Sequence, residues 1–218
     1  QSDGIFRSSD YFEFYAEGGN TGWLDSTVYY TGKQLNKNYS LYNDTASYFL
    51  TIANTLVSPR YDTTRTTDYD NYVSIPYLFR TVRTDFVSTF NTTNISPYII
   101  PAEGWCDTYF DMGGTTQKGL ITPNYTSVGV PAQVSFGIAG FSETQHDVLV
   151  TLSSDETFRF DTTYYDYNAV QKTIETSKAL SATSLLTFQS YNTGNKTADK
   201  NSVAYVQIKY PSKLNCNY

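Results

Sequence analysis

The chain has 218 residues, a net charge of −6 and a markedly aromatic composition, with 17% Phe, Trp and Tyr and 21 tyrosines. Its 15 Lys and Arg residues are scattered singly, which excludes the clustered basic surface that a phosphate backbone requires, so nucleic acid is not an expected partner. No segment reaches the ~18 consecutive apolar residues of a membrane-spanning helix, and no charged-then-apolar leader opens the sequence at Gln1-Ser2-Asp3-Gly4, as in an excised fragment or processed form.

Tyr, Phe, Thr and Val suit a pleated, half-buried surface, so the composition predicts an all-β fold. The length allows one large domain or two small ones, with a sizeable core. In chain order, Tyr11-Phe12-Glu13-Phe14-Tyr15 tends toward strand alternation, and Glu17-Gly18-Gly19-Asn20-Thr21-Gly22 breaks it. Ser47-Tyr48-Phe49-Leu50-Thr51-Ile52 is a short apolar run of the buried-strand kind, residues 58–71 are polar and read as a loop, and residues 72–90 form a second β-rich stretch interrupted by Pro76.

Residues 91–101 are polar, contain Pro97 and Pro101, and read as a connection. The expected organisation is therefore a β-rich N-terminal module, residues 1–95, followed by a jelly-roll-like β-sandwich, residues 96–218. Strands are predicted over 133–138, 147–152, 157–160, 185–191 and 203–210, each bounded by turn residues. Residues 168–180 carry Val170 and Ile174 at helical spacing, but their Thr and Ser content favours a strand followed by a loop. The predicted core is Phe136, Ile138, Leu149, Phe158, Phe160, Leu186, Phe188, Val206 and Ile208. In residues 203–210, Val203, Tyr205, Gln207 and Lys209 alternate with Ala204, Val206, Ile208 and Tyr210, which predicts a central strand.

Neither Cys106 nor Cys216 belongs to a Cys-x-x-Cys pair, so zinc is not indicated. A disulfide between them would stabilise the fold by roughly 3–5 kcal/mol in the loop-entropy model, and two separate thiols remain the other reading. His146 is the one histidine, and a thiol dyad with Cys106 competes with a structural reading in which His146 caps the turn before the strand at Asp147. Glu13 with Glu17, or Glu103 with Asp107, are carboxylate pairs of the type glycosidases use, against a reading as solvated strand ends. The Asp-rich stretches 62–70 and 161–166 offer oxygen ligands for a structural calcium but lack EF-hand spacing. Trp23, Trp105, Tyr164, Tyr165 and Tyr167 are candidates for stacking on sugar rings, the alternative being core packing. Asn38, Asn43, Asn91, Asn94, Asn124 and Asn195 open Asn-x-Ser/Thr triplets, which a chain rich in Asn and Thr also generates by chance. No catalytic or cofactor-binding residue is assigned, and no cofactor is expected.

The stretch Asp3-Gly4-Ile5-Phe6-Arg7-Ser8-Ser9-Asp10-Tyr11-Phe12-Glu13-Phe14-Tyr15 resembles one found upstream of the catalytic domain in gingipain-like (family C25) cysteine peptidases, and most nearly in the type IX secretion sortases of Bacteroidetes. Tyr39-Ser40-Leu41-Tyr42-Asn43-Asp44-Thr45-Ala46-Ser47-Tyr48-Phe49-Leu50-Thr51 is similar to a second block of that family. Residues 105–110 resemble a third, although Asp107 and Thr108 replace the family's Gly and Glu, and residues 205–214 resemble the strand leading toward the peptidase domain. The resemblance implies a non-catalytic module of an exported protein at the cell surface or outer membrane. The catalytic Cys and His would lie in a domain further along. The implied partners are that downstream domain and, beyond it, secretion-system outer-membrane proteins or cargo. The alternative function is a carbohydrate-binding β-sandwich of a secreted or cell-surface protein.

Overall fold

The computed structural model of the chain describes residues 29, 32–37, 39–40, 47, 49, 75–90, 104–191 and 198–213. These residues contain no helix. The strands are β1 (Leu78–Asp85), β2 (Thr89–Phe90), β3 (Trp105–Cys106), β4 (Thr115–Ile121), β5 (Ala132–Gly140), β6 (Gln145–Leu152), β7 (Asp155–Tyr165), β8 (Ala169–Thr176), β9 (Thr183–Ser190) and β10 (Asn201–Ser212). Two four-stranded antiparallel sheets result, in the orders β1-β10-β5-β8 and β4-β9-β6-β7, with β2 and β3 as a separate short ribbon.

The order within each sheet follows from how the chain crosses between them. Apart from the β6–β7 hairpin, each connection from β4 to β10 passes from one sheet to the other. Without the ribbon, the strands run first-eighth-third-sixth opposite second-seventh-fourth-fifth, the double Greek key of a jelly roll. The expectation of an all-β, jelly-roll-like sandwich is therefore met. The strand from the segment 168–180 is also present, as β8, with a loop after it.

Between the sheets lies one apolar layer. Phe136 on β5 sits at its centre, with ring centroids 5.6 Å from both Phe188 and Phe160 in edge-on geometry. Such pairs contribute about 0.5–1.5 kcal/mol beyond the area they bury. The predicted core is largely right, with Phe136, Ile138, Phe158, Leu186, Phe188, Val206 and Ile208 buried and Phe160 packed at the margin. Leu149 is a correction. Val148, Val150 and Leu152 are the inward residues of β6, and Leu149 is half-buried on the opposite face. A continuous run such as Val148-Leu149-Val150 has no period-2 signal to fix which face turns inward.

β10 lies between β1 and β5, so it is central, as its alternation predicts. The alternation is broken once. Val203 pairs with Ile138 but Tyr205 pairs with Gly137, which leaves Ala204 as the extra residue of a bulge. Val203 thus joins Val206, Ile208 and Tyr210 in the inter-sheet core, while Ala204 and Tyr205 pack on the outer face.

β1 precedes the boundary expected at 95–96, yet it pairs along its whole length with β10, from Leu78 opposite Ser212 to Asp85 opposite Tyr205. The sandwich therefore takes an edge strand from the segment assigned to the first module. The sheets are also tied by a buried polar contact. Asp155, at the start of β7, accepts the Thr176 hydroxyl of β8 at 2.6 Å and the Thr157 hydroxyl at 2.6 Å. Burial opposes its charge, but these donors and the Thr157 amide hold its carboxyl below the usual aspartate value.

Candidate functional site

The outer face of the β1-β10-β5-β8 sheet carries a strap made by residues 32–37. Gly137 on β5 leaves a notch there. The Tyr205 ring from β10 and the Leu35 side chain from the strap enter it, and Leu35 is only 3% exposed. Arg83 on β1 completes the seat. Its guanidinium lies 3.8 Å from the centroid of the Tyr205 ring, donates to the Leu35 carbonyl at 2.8 Å, and pairs with Asp85 at 2.7 Å. Gln171 on β8 donates to the Gly32 carbonyl at 3.1 Å, and Lys33 reaches the Ala169 carbonyl at 3.3 Å. Desolvation raises the pKa of the Tyr205 phenol, opposed in part by Arg83. Beneath the strap is a cavity of about 250 Å³ lined by Gln34, Leu35, Lys37, Arg83, Gln171 and Tyr205. Because Arg83 is already neutralised by Asp85 and committed to a strap carbonyl, the geometry is that of a clamp on the chain's own segment.

At one end of the sandwich lies a fully buried polar cluster. His146 of β6 and Asp199, just before β10, are both completely shielded from solvent, with Nδ1 and Oδ1 2.5 Å apart. Asp199 also accepts Ser190 Oγ at 2.8 Å and Asn201 Nδ2 at 2.7 Å. The Tyr164 ring stacks on the imidazole at a centroid distance of 4.8 Å and donates its hydroxyl to Asn201 Oδ1. Burial pushes the Tyr164 phenol well above its ordinary value, with the Asp199 charge adding to this. Burial works against the Asp199 charge too, but hydrogen bonds from His146 and Ser190 outweigh it and hold that carboxyl below its usual range.

This arrangement keeps the structural reading of His146, which lies buried at the start of β6 and bonds the Ser142 carbonyl of the connection before that strand. It removes the His146 part of a dyad with Cys106. Nε2 faces the carbonyls of Ser142 and Asp166, and Nδ1 faces Asp199, so neither nitrogen is placed to take a thiol proton. Cys106 is buried in β3, and Cys216 lies outside the described residues.

The remaining candidates are dispersed. Asp107 forms an ion pair with Lys118 that, with other donors, overcomes desolvation and lowers its pKa, whereas Glu103 lies outside the described residues. Outside them too are Glu13, Glu17, Trp23, the stretch 62–70, Asn38, Asn43, Asn91, Asn94 and Asn195. Asn124 is exposed in a turn, at φ 58°. Asp161 accepts the Tyr191 hydroxyl, which helps push that phenol up to about 12. Among the described residues no three His, Cys, Asp or Glu side chains are grouped to hold a metal ion. Of the sugar-stacking candidates among the described residues, Tyr165 alone is largely exposed, at 56%. Tyr164 is buried in the cluster, Tyr167 packs against the outer apolar patch, and Trp105 is half-buried against Phe90, donating to the Ser40 carbonyl.

Leu35, Arg83, Gly137 and Asp199 were not singled out from the sequence. Only Gly137 carried a usable signal, since an isolated glycine in a strand pattern marks close approach of another group.

Fold and site together define a β-sandwich module whose described polar clusters hold the fold together. No family model matches the chain, and no curated protein matches it. Among solved structures, it is similar to dimeric latent PorU from Porphyromonas gingivalis, at 8% identity and a TM-score of 0.45, over 64% of this chain and 13% of that one. It is also similar to the CBM36-1 domain of a multidomain xylanase from the hindgut metagenome of Trinervitermes trinervoides, at 10% identity and a TM-score of 0.35, over 60% of this chain and 96% of that domain. Both TM-scores lie below 0.5, where a likeness says nothing about function. No helix among the described residues is long and apolar enough to cross a membrane.

Proposed function

We propose that the chain is a non-catalytic structural and interaction module of an exported gingipain-like peptidase or type IX secretion sortase, lying upstream of the catalytic domain. The observation that carries this reading is the pair of aromatic blocks, residues 3–15 and 39–51, in the family's order. The engagement of both His146 nitrogens in structural hydrogen bonds supports a non-enzymatic role. The module braces the downstream peptidase domain or helps present cargo, with secretion-system outer-membrane proteins as further partners, and it works at the cell surface or outside the cell. We propose a β-rich N-terminal module over residues 1–95, which lends β1 as an edge strand, followed by a jelly-roll-like sandwich over residues 96–218.

Two experiments test this. The coding sequence after Tyr218 must continue into a caspase-like domain with a Cys/His pair, and a stop codon or unrelated sequence there removes the reading's main support. The chain itself, incubated with Arg-, Lys- and apolar-directed peptide substrates with and without thiol reductant, is expected to give background rates. Reductant-dependent turnover abolished by Cys106→Ala would overturn the non-catalytic assignment.

A further inference from the structure

The His146 imidazole is surrounded by acceptors at both nitrogens. Nε2 lies 2.8 Å from the Asp166 carbonyl oxygen and 3.1 Å from that of Ser142, and Nδ1 lies 2.5 Å from Asp199 Oδ1. A carbonyl oxygen has no proton to give, so Nε2 must be the donor there. A neutral ring protonated at Nε2 would then point a lone pair at a carboxylate. Two states avoid that repulsion: an imidazolium against a carboxylate, or a neutral ring against a protonated Asp199. The Ser190 hydroxyl and Asn201 amide both donate to Asp199, and each favours the ionised carboxyl.

The pair sits where three connections converge. Residues 141–144 supply the Ser142 carbonyl, residues 166–168 supply the Asp166 carbonyl, and residues 198–200 supply Asp199. Backbone bonds join the same segments: Phe141 N to Lys200 O at 2.8 Å, Asp166 N to Thr144 O at 2.7 Å, and Gly140 N to Asn168 O at 3.0 Å. At Gly140 a Cβ would collide with the imidazole and with the Asp166 carbonyl, so the ring is fitted against bare backbone.

We propose that His146 and Asp199 form a pH-sensitive latch, closed as a buried imidazolium–carboxylate pair, that ties these three connections together at one end of the jelly roll. Removing the ring proton leaves either a lone pair against Asp199 or a lone pair against two carbonyls, so the latch opens as pH rises. Protonating Asp199 weakens it from the acid side. The other groups around the ring do not supply a replacement charge. The Tyr164 phenol stacked on it stays neutral, with the Cys106 thiol near that phenol. Asp147, next along β6, accepts from Gln145 and Thr163, the Lys200 ammonium lies 4.6 Å from the Tyr109 ring centroid, and the Asp166 side chain is exposed.

The chain has a single histidine, so ¹⁵N-histidine labelling of the whole chain gives one pair of ring-nitrogen resonances. While the latch is closed and the loop amides are protected, both nitrogens are expected to show a directly bonded proton. Raising the pH should remove one, and amide exchange protection at Phe141, Asp166 and Lys200 should fall at least about tenfold in the same interval, with β5 and β10 amides still protected. A proton-free ring nitrogen while those loop amides keep their full protection overturns the proposal. So does unchanged loop protection through ring deprotonation, or loss of protection everywhere at once. Asp199→Asn gives a second test, because its amide can donate to Nδ1 of a neutral ring. Loop protection in that variant should lose its alkaline pH dependence, and persistence of that dependence overturns the latch.

Discussion

The ring of Tyr205 lies across Gly137, its partner on the adjacent strand, and occupies the space a side chain there would need. A Cβ built on Gly137 would stand 2.6 Å from Tyr205 Cε1 and 3.0 Å from Leu35 Cδ1. One absent methyl group therefore permits two contacts at once: the aromatic on β10 and the strap that carries Leu35. Arg83 then fixes both, by stacking on the ring and by holding the strap carbonyl.

Gly137→Ala is accordingly expected to destabilise the fold by about 1–3 kcal/mol through overpacking. It should also cost the strap its amide protection. Gly119→Ala is the matched control, because a Cβ there meets nothing within 4 Å, and it should shift stability by no more than about 0.5 kcal/mol. Urea midpoints of the two variants decide the matter, and equal midpoints would show that the Gly137 notch has no structural role.

Asp155 and Asp199 make the fold acid-sensitive. Both have folded-state pKa values depressed below those of an unfolded chain, after hydrogen-bond donors overcome desolvation. A depressed carboxyl contributes stability that is present above its unfolded value, about 3.9, and is lost as pH falls through the folded value. Thermal midpoints should therefore be flat on the acid side down to about pH 5 and decline below about pH 4. Asp155→Ala should lower the midpoint at neutral pH by the equivalent of about 1–3 kcal/mol, since Thr157 and Thr176 lose a buried acceptor. The same variant should show a shallower acid decline than the parent chain, and an identical decline would dissociate Asp155 from it.

Much of the fold was legible in the sequence because alternation is a direct readout of a half-buried strand. Residues 203–210 declared a central strand in this way, and 133–138 marked β5. The strand β4 went unmarked, since Thr115-Thr116-Gln117-Lys118-Gly119-Leu120-Ile121 buries only Leu120 and otherwise reads as a polar segment. The buried cluster was harder still. His146 and Asp199 are 53 residues apart, and nothing local to either predicts that the β9–β10 connection returns to β6. The phase of β6 was lost for a different reason, a solid apolar run, and it can be checked directly. Val150→Ala should cost about 2–3 kcal/mol from lost burial plus cavity, and Leu149→Ala less than about 1 kcal/mol, despite removing more atoms. The reverse ranking in a denaturant series would restore Leu149 to the core.

The place of β1 yields the last prediction. A chain cut to residues 97–218 keeps every long strand except this one, and its loss has two consequences. Val82 and Phe86, which pack against the inter-sheet core, are removed, and β10 becomes an edge whose Tyr205–Ser212 portion has lost β1 and keeps β5 only as far as Lys209. A largely buried strand left open along one side exposes both apolar area and a row of backbone donors and acceptors. The fragment 97–218 is therefore expected to unfold at a lower urea concentration than the fragment 75–218, with a shallower transition because less surface is buried cooperatively. Adding β1 back should restore a single steep transition even without the strap, because the strap seats on the outer face and leaves the layer between the sheets untouched. Matching midpoints and slopes for the two fragments would mean that β1 is an accessory strand, and that the sandwich begins after residue 95 as its sequence alone suggests.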